Sequence, residues 1–519
     1  MIQNDGLRWR HKLKIKTNDF NFAQHLFAEE LSGNDSVGFK DIRLRNYCVI
    51  SIAYGVFILL FHQSYIINFL TLLFQVIYFA FLILKKKYSD YLVLYLIFSS
   101  MSLEFEYMSG QFYGWRTFRL FGISASMWLI LPLFTVALIN IFLKRKIKFC
   151  EKNKIAASFV MLNCIAIAMG LIMLLSNDNG VTYQRGTLTQ FALAVYENLT
   201  KIMVPAITFA YFLKKESIDN VKKAMVSILV GITIQEVLSL VTGIMATMWA
   251  DEVPMAGPIQ TFAPFLLLFG FFEKYQIKMY ALLLGAISCL MALKYSFGSG
   301  QFIILFSVPV WIALIILERR KIAGYKKMII LGAIIIPIIM IAVLNITYGD
   351  SIKYKLNQAI SMLTFWRRDW LSTLPNSARF RIEEIRGIIA EYIKKPYYLI
   401  LGKGFMGTFT DAYNYFFTSP HTGSTDSFSA YEWSLGAFYN VHESFNNLLL
   451  TNGLLGVTVF FRLIVRGIKN IYKSPFIAIG IMWLVWYWGY SLTYSYFGIA
   501  CLFLGFGEIN KKYEVDTND

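Results

Sequence analysis

Apolar residues fall along this chain in long unbroken runs, and polar residues gather in the gaps between them. A helix that crosses a bilayer needs about 20 mainly apolar residues. About fourteen stretches approach that length: 46 to 62, 64 to 84, 89 to 104, 120 to 143, 155 to 176, 189 to 213, 224 to 248, 259 to 273, 277 to 294, 301 to 317, 327 to 347, 443 to 465, 475 to 491 and 493 to 509, the third and eighth being short. The pattern predicts an all-α polytopic membrane protein with about 14 transmembrane helices. Residues 1–45 form a polar, basic N-terminal segment with no apolar core of its own, so no cleavable signal is expected there. Residues 510–519 form a polar tail.

One polar interval is long. Residues 348–441 separate transmembrane helices 1–11 (46–347) from helices 12–14 (442–509). Its clearest predicted element is a helix over Ser377 to Lys395, with Pro375, Asn376 and Ser377 as capping residues and Pro396 closing it. Ile382, Ile385, Ile389 and Ile393 recur at helical spacing, which makes it amphipathic and suited to lie on the membrane or on the helix bundle. At about 100° per residue, Arg379, Glu383 and Arg386 share a second face beside that stripe. Arg381 points elsewhere with Glu384 and Lys395, and is expected only to solvate and to pair within its own helix. For Arg379 and Arg386 both a solvating and an anion-binding role stand open.

Composition agrees with the pattern. The chain has 519 residues, 57% hydrophobic and 16% charged, with a mean hydropathy of +0.53, which excludes an ordinary soluble domain. Its net charge of +17 falls mostly in clusters that alternate with the spans: Lys85 to Lys87, Lys144 to Lys146, Lys214 with Lys222, Lys274 with Lys278, Arg319 to Lys321, Arg466 with Lys469, and Lys511 with Lys512. Short basic loops stay in the cytoplasm. Both termini are therefore expected there, with 348–441 on the outer side. The charge is a topological signal and an attraction to anionic lipid, and no nucleic-acid partner is read from it.

The long polar interval holds none of the five cysteines, at 48, 150, 164, 289 and 501, which removes a disulfide framework and a cysteine metal site. His11, His25 and His62 have no metal-ligand spacing, and His421 stands too far from His442 to form a motif. No Walker loop is present, and the longest cytoplasmic piece is too small to bind a nucleotide sugar. No cofactor is expected.

Gly402-Lys403-Gly404-Phe405-Met406-Gly407 has the spacing of a dinucleotide fingerprint but lacks its strand-turn-helix setting. A close approach of backbones or a lipid-linked phosphate is sufficient use for those glycines. Thr408 to Asn440, rich in Tyr, Phe, Ser, Thr, Gly and Asn, suits sugar rings or an aromatic belt at the membrane surface. His442 opens the next span, where a helix N-terminus favours a neutral imidazole and a nearby phosphate. Lys201 and Glu236 fall near mid-membrane, where charges are costly unless paired. Lys201 is expected to face Glu236 or Glu197, as a structural pair or as the floor of a cavity.

His442-Glu443 followed after nine residues by Gly453-Leu454-Leu455-Gly456 resembles the signature of bacterial O-antigen ligases and the related O-antigen polymerases. Ser377-Ala378-Arg379, the amphipathic helix, Lys395-Pro396 and Leu401-Gly402-Lys403-Gly404-Phe405 follow that family's loop in order and approximate spacing. Arg185-Gly186 resembles the family's other outer arginine, and Ser296-Phe297-Gly298-Ser299-Gly300 its span-end motif. The chain departs at Glu443, where a small polar residue is usual, and at Gly300, where the family carries Arg. The polymerase's arginine-to-glycine spacing is also absent: Tyr196 and Ala390 stand eleven residues beyond Arg185 and Arg379.

The resemblance implies a GT-C-like glycosyltransferase of the bacterial inner membrane. It would move a glycan from undecaprenyl pyrophosphate to an acceptor hydroxyl on the outer face, with no metal and no nucleotide. A flippase and a chain-length regulator would be partners. Arg185, Arg379 and Arg386 would bind pyrophosphate, and His442 would activate the acceptor, with Glu443 as partner or rival base. Span number and the broad polar segment lean towards a polymerase of lipid-linked repeats, and the histidine string leans towards a ligase onto lipid A core. A flippase of the same lipid-linked sugars is the alternative of another class, although no internal repeat supports it.

Overall fold

In a computed structural model of the chain, the residues described are 41–61, 64–101, 119–120, 123–144, 151–176, 187–213, 215–242, 260–272, 278–295, 299–320, five single positions between 331 and 361, 364–418, 428, 430–439, 441, 443–487 and 492–515. Every apolar stretch of the sequence contains helix, and of 327 to 347 only Leu331 and Ile335 are among these residues, both helical. Helix satisfies its own backbone polar groups, as a chain in lipid must. Among the described residues five helices are long and apolar enough to cross a membrane: Ile42–Phe61, Tyr65–Leu84, Ala125–Leu143, Asn153–Ser176 and Ser444–Lys473. Shorter apolar helices accompany them at Lys278–Met291, Ser307–Glu318, Pro475–Val485 and Tyr496–Ile509. The protein is an all-α, membrane-embedded chain, and from Arg43 onward its residues form one unit.

The helices that frame the site are labelled as follows: α1 (Ile42–Phe61), α2 (Tyr65–Leu84), α3 (Glu151–Ser176), α4 (Lys215–Thr242), α5 (Asn376–Lys394), α6 (Ser444–Asn470), α7 (Pro475–Tyr487) and α8 (Leu492–Val515). α8 is the central strut, buried on all sides from Tyr496 to Leu504, as expected of a helix that is apolar all round. It closes on α7 because residue 498 is glycine: a Cβ there would lie 2.0 Å from the Trp483 ring. Small polar groups tie the other spans, with Ser51 and Ser227 at 3.2 Å and the Gln235 amide donating to the Gly55 carbonyl at 2.9 Å, joining α1 to α4.

The expected span 189 to 213 is interrupted. Thr187–Asn198 is α-helical, Leu199–Met203 is a π-turn and Val204–Phe212 is α-helical again. Pro205 has no N–H to offer the Lys201 carbonyl one turn back. The ladder shifts instead, and the Val204 N–H donates to Leu199. Lys201 therefore sits in a π-bulge, a feature often found at functional sites.

The described part of the polar interval is built around α5. The expected Ser377–Lys395 helix runs from Asn376 to Lys394, and its N-cap is Pro375 with no side-chain capping bond. The Pro375 carbonyl accepts from Ala378 and Arg379 instead. The buried stripe also differs from the isoleucine stripe: Phe380, Glu384, Ile388 and Tyr392 face inward, while Ile389 and Ile393 are exposed. The reason lies in what α5 packs against. Two short strands, Phe409–Thr410 and Ala437–Phe438, pair antiparallel and bring Phe409, Phe416, Phe428 and Phe438 into a small aromatic core under α5. Most aromatics of that segment are thus packed on each other, and Tyr413 and Phe417 are the exposed ones among those described.

α6 is sharply bent. Gly453 has φ 58 and ψ −151 inside it. Phe445 and Phe461, sixteen residues apart and roughly 24 Å apart along a straight helix, have ring centroids 6.2 Å from each other. The expected span 443 to 465 is therefore two pieces, a half-helix Ser444–Asn452 beside α5 and a run from Leu454 to Asn470 that is roughly 25 Å long.

Candidate functional site

The bend in α6 exposes carbonyls, and the Gly402–Phe405 segment takes them. Lys403 N donates to Leu450 O at 2.8 Å, Gly404 N to Thr451 O at 3.0 Å, and Phe405 N to Ala166 O of α3 at 2.9 Å. The Tyr392 hydroxyl donates to Leu449 O at 2.5 Å. Such contacts need bare backbones. A Cβ on Gly404 would lie 2.1 Å from Gly170 N, and one on Gly453 would lie 2.6 Å from Gly402 N. Of the two uses read for these glycines, backbone approach is the one seen. Lys403, 1% exposed, is held by Glu391 at 3.1 Å and by Thr408 O at 2.7 Å, while Thr410 donates to the other Glu391 oxygen at 2.7 Å.

On this rigid base α5 presents two ionic faces. The first carries Arg379, Glu383 and Arg386, as the periodicity required. Arg386 Nη1 donates to both oxygens of the Glu383 carboxylate at 2.9 and 2.7 Å, and Arg379 Nε lies 3.8 Å from it. Glu383 is 3% exposed whereas each arginine is one-third exposed. An aromatic ring backs each guanidinium: Tyr413 at 3.8 Å from Arg386 and Tyr415 at 4.5 Å from Arg379. One buried carboxylate between two arginines leaves a surplus positive charge. Two planar forks are thus held in place with part of each open to solvent, a geometry suited to the oxygens of a phosphate or carboxylate.

The second face carries Arg381, which has a partner that helical spacing does not predict. Its Nε lies 2.5 Å from Glu443, the N-cap residue of α6, a partner outside its own helix. Beside it the Asn446 amide donates to Glu384 at 2.8 Å and to the Arg381 carbonyl at 3.1 Å. These contacts fasten α5 to the half-helix that follows His442, and they occupy Glu443 with a cation.

His442 and Arg185 lie outside the described residues, as do the side chains of Lys201 and Glu197. Glu236 is on α4, and its Oε2 is buried with no hydrogen-bond partner among the described residues. The expected convergence of Arg379 and Arg386 on one face is present, and Glu443 is joined to the adjacent face of the same helix. Tyr413, Tyr415, Glu391 and Lys403 were not singled out from the sequence. Their charged partners are 12 to 36 residues away, beyond helical periodicity. A lysine between two glycines, in a segment that must pack without side chains, was the available signal for Lys403. Compared with protein-family models, with curated proteins and with solved structures, the chain matches none.

Proposed function

We propose that this protein is a glycosyltransferase of the bacterial inner membrane, a polymerase that moves a glycan from undecaprenyl pyrophosphate to the sugar hydroxyl of another lipid-linked repeat. The observation that carries it is the pair of ring-backed arginines, Arg379 and Arg386, held by one buried carboxylate on the helix that leads to α6. A lipid pyrophosphate gathers negative charge as it leaves, and preorganised guanidinium donors stabilise that charge. Arg185 joins them in this reading, and the interval 348–441 faces outward with both termini in the cytoplasm.

In the reaction the anomeric C–O bond to pyrophosphate breaks and its electron pair departs with the lipid carrier. The acceptor oxygen forms the new glycosidic bond and passes its proton to His442. Glu443, engaged by Arg381, acts as the anchor that orients the start of α6 and not as a second base. In this reading Lys201, in its π-bulge, and Glu236 form the floor of a cavity for the lipid pyrophosphate.

The string from His442 to Gly456 favours a ligase onto lipid A core as the second reading. Purified protein given undecaprenyl-pyrophosphate-linked repeats alone is expected to make a ladder of longer chains. Product only when lipid A core is added identifies the ligase, and no transfer in either case overturns both. Arg379→Ala and Arg386→Ala are each expected to slow transfer by about a hundredfold while leaving the protein folded.

A further inference from the structure

α5 ends in a surface that the site does not use. Ile389 and Ile393 on its outer side, then Tyr397, Leu399, Ile400 and Leu401 after Pro396, are all exposed, with Ile393, Ile400 and Tyr397 at 73%, 62% and 61%. Their neighbours leave them no choice of core: the other side of α5 already packs on the aromatic cluster, and Tyr398 turns inward as the buried member of its segment. Soluble surfaces rarely carry so many large apolar groups together.

The location of this patch says what covers it. The Leu399 carbonyl and Ile400 lie against the bend of α6, where a Cβ on Gly453 would be 2.6 and 2.7 Å from them. The bend is where the straight part of that candidate span begins, and Leu454, Phe461, Val465 and Ile468 are exposed apolar residues along it, with Thr458 and Arg462 exposed between them. The patch therefore continues the apolar outer surface of a membrane helix upward onto the polar interval. Lys394 and Lys395 stand at its edge. Long cationic side chains and a tyrosine beside aliphatic groups are the composition of the layer between acyl chains and headgroups.

We propose that Ile389, Ile393 and the Tyr397–Leu401 turn are seated in the phospholipid bilayer, with Lys394 and Lys395 at the phosphate level. α5 is thereby an interfacial helix: its aliphatic end dips into lipid while Arg386 and Arg379, about two and about four turns back, stay at headgroup height. This does not depend on the glycan reading.

The test places p-benzoylphenylalanine at Ile393 or at Ile400 in the full-length protein, reconstituted in vesicles of phosphatidylcholine and phosphatidylglycerol and irradiated. Phe74, exposed on α2, serves as the lipid-facing reference. A protein mass increased by one phospholipid at 393 and 400, as at 74, is the expected result. A cross-linked dimer at those positions means that a second copy covers the patch, and no adduct at either position while Phe74 gives one means that water covers it. Both outcomes overturn the proposal.

Discussion

Lys403 keeps a charged ammonium with almost no exposed surface, and Glu391 makes that tolerable. Burial alone would push the Glu391 carboxyl up. The Lys403 charge, the hydrogen bonds from Thr410 and Lys403 and the Lys394 charge outweigh it and hold the carboxyl below its ordinary value. A carboxyl whose pKa is lower folded than unfolded stabilises the fold above its unfolded value of about 4.3 and loses that contribution as pH falls through the folded value. Thermal unfolding of the purified protein should therefore shift to lower temperature as pH falls below about 5. In Glu391→Gln the shift over that window should be smaller, with lower stability at neutral pH. A Glu391→Gln profile parallel to wild type would assign the pH dependence to other groups. Lys403→Met leaves Glu391 half-buried without its cation and is expected to cost about 3 kcal/mol, read as a lower unfolding temperature.

At the scale of elements, the bend in α6 and the segment inserted beside it depend on each other. The bend frees carbonyls that the Gly402–Phe405 backbone satisfies, and the insertion fits only because Gly402, Gly404, Gly170 and Gly453 have no side chains. Gly453→Ala puts an L-residue at a positive φ and drives a Cβ into backbone, so it is expected to destabilise by roughly 3 kcal/mol or more. Gly436 also has positive φ, but a Cβ there meets only the Phe417 ring at 3.9 Å. Gly436→Ala should cost about 1 kcal/mol. Equal shifts in unfolding temperature for the two variants would mean that close approach contributes nothing. The contact between Arg381 and Glu443 belongs to the same scale: Arg381→Ala should impair transfer more than it impairs stability, since the pair is one-third exposed and the residue after His442 is what it holds.

For the whole molecule, the alternation of basic clusters makes an orientation that can be measured. Tyr413→Cys should react with a membrane-impermeant maleimide added to intact spheroplasts, and Lys86→Cys only after the membrane is opened. The reverse pattern would invert the topology and remove an outward-facing site. The sequence by itself determined the membrane class, where apolar helix occurs among the described residues, the amphipathic α5 and the shared face of Arg379, Glu383 and Arg386. All of these follow from composition and from a 3.6-residue period over short separations. Only the tertiary structure decided which stripe of α5 is buried, that Arg381 reaches Glu443, that tyrosines back the two arginines, and that the span after His442 bends at Gly453. Those depend on contacts between residues far apart in the chain, and on backbone approach at glycines, for which a linear pattern of polar and apolar positions has no periodic signal.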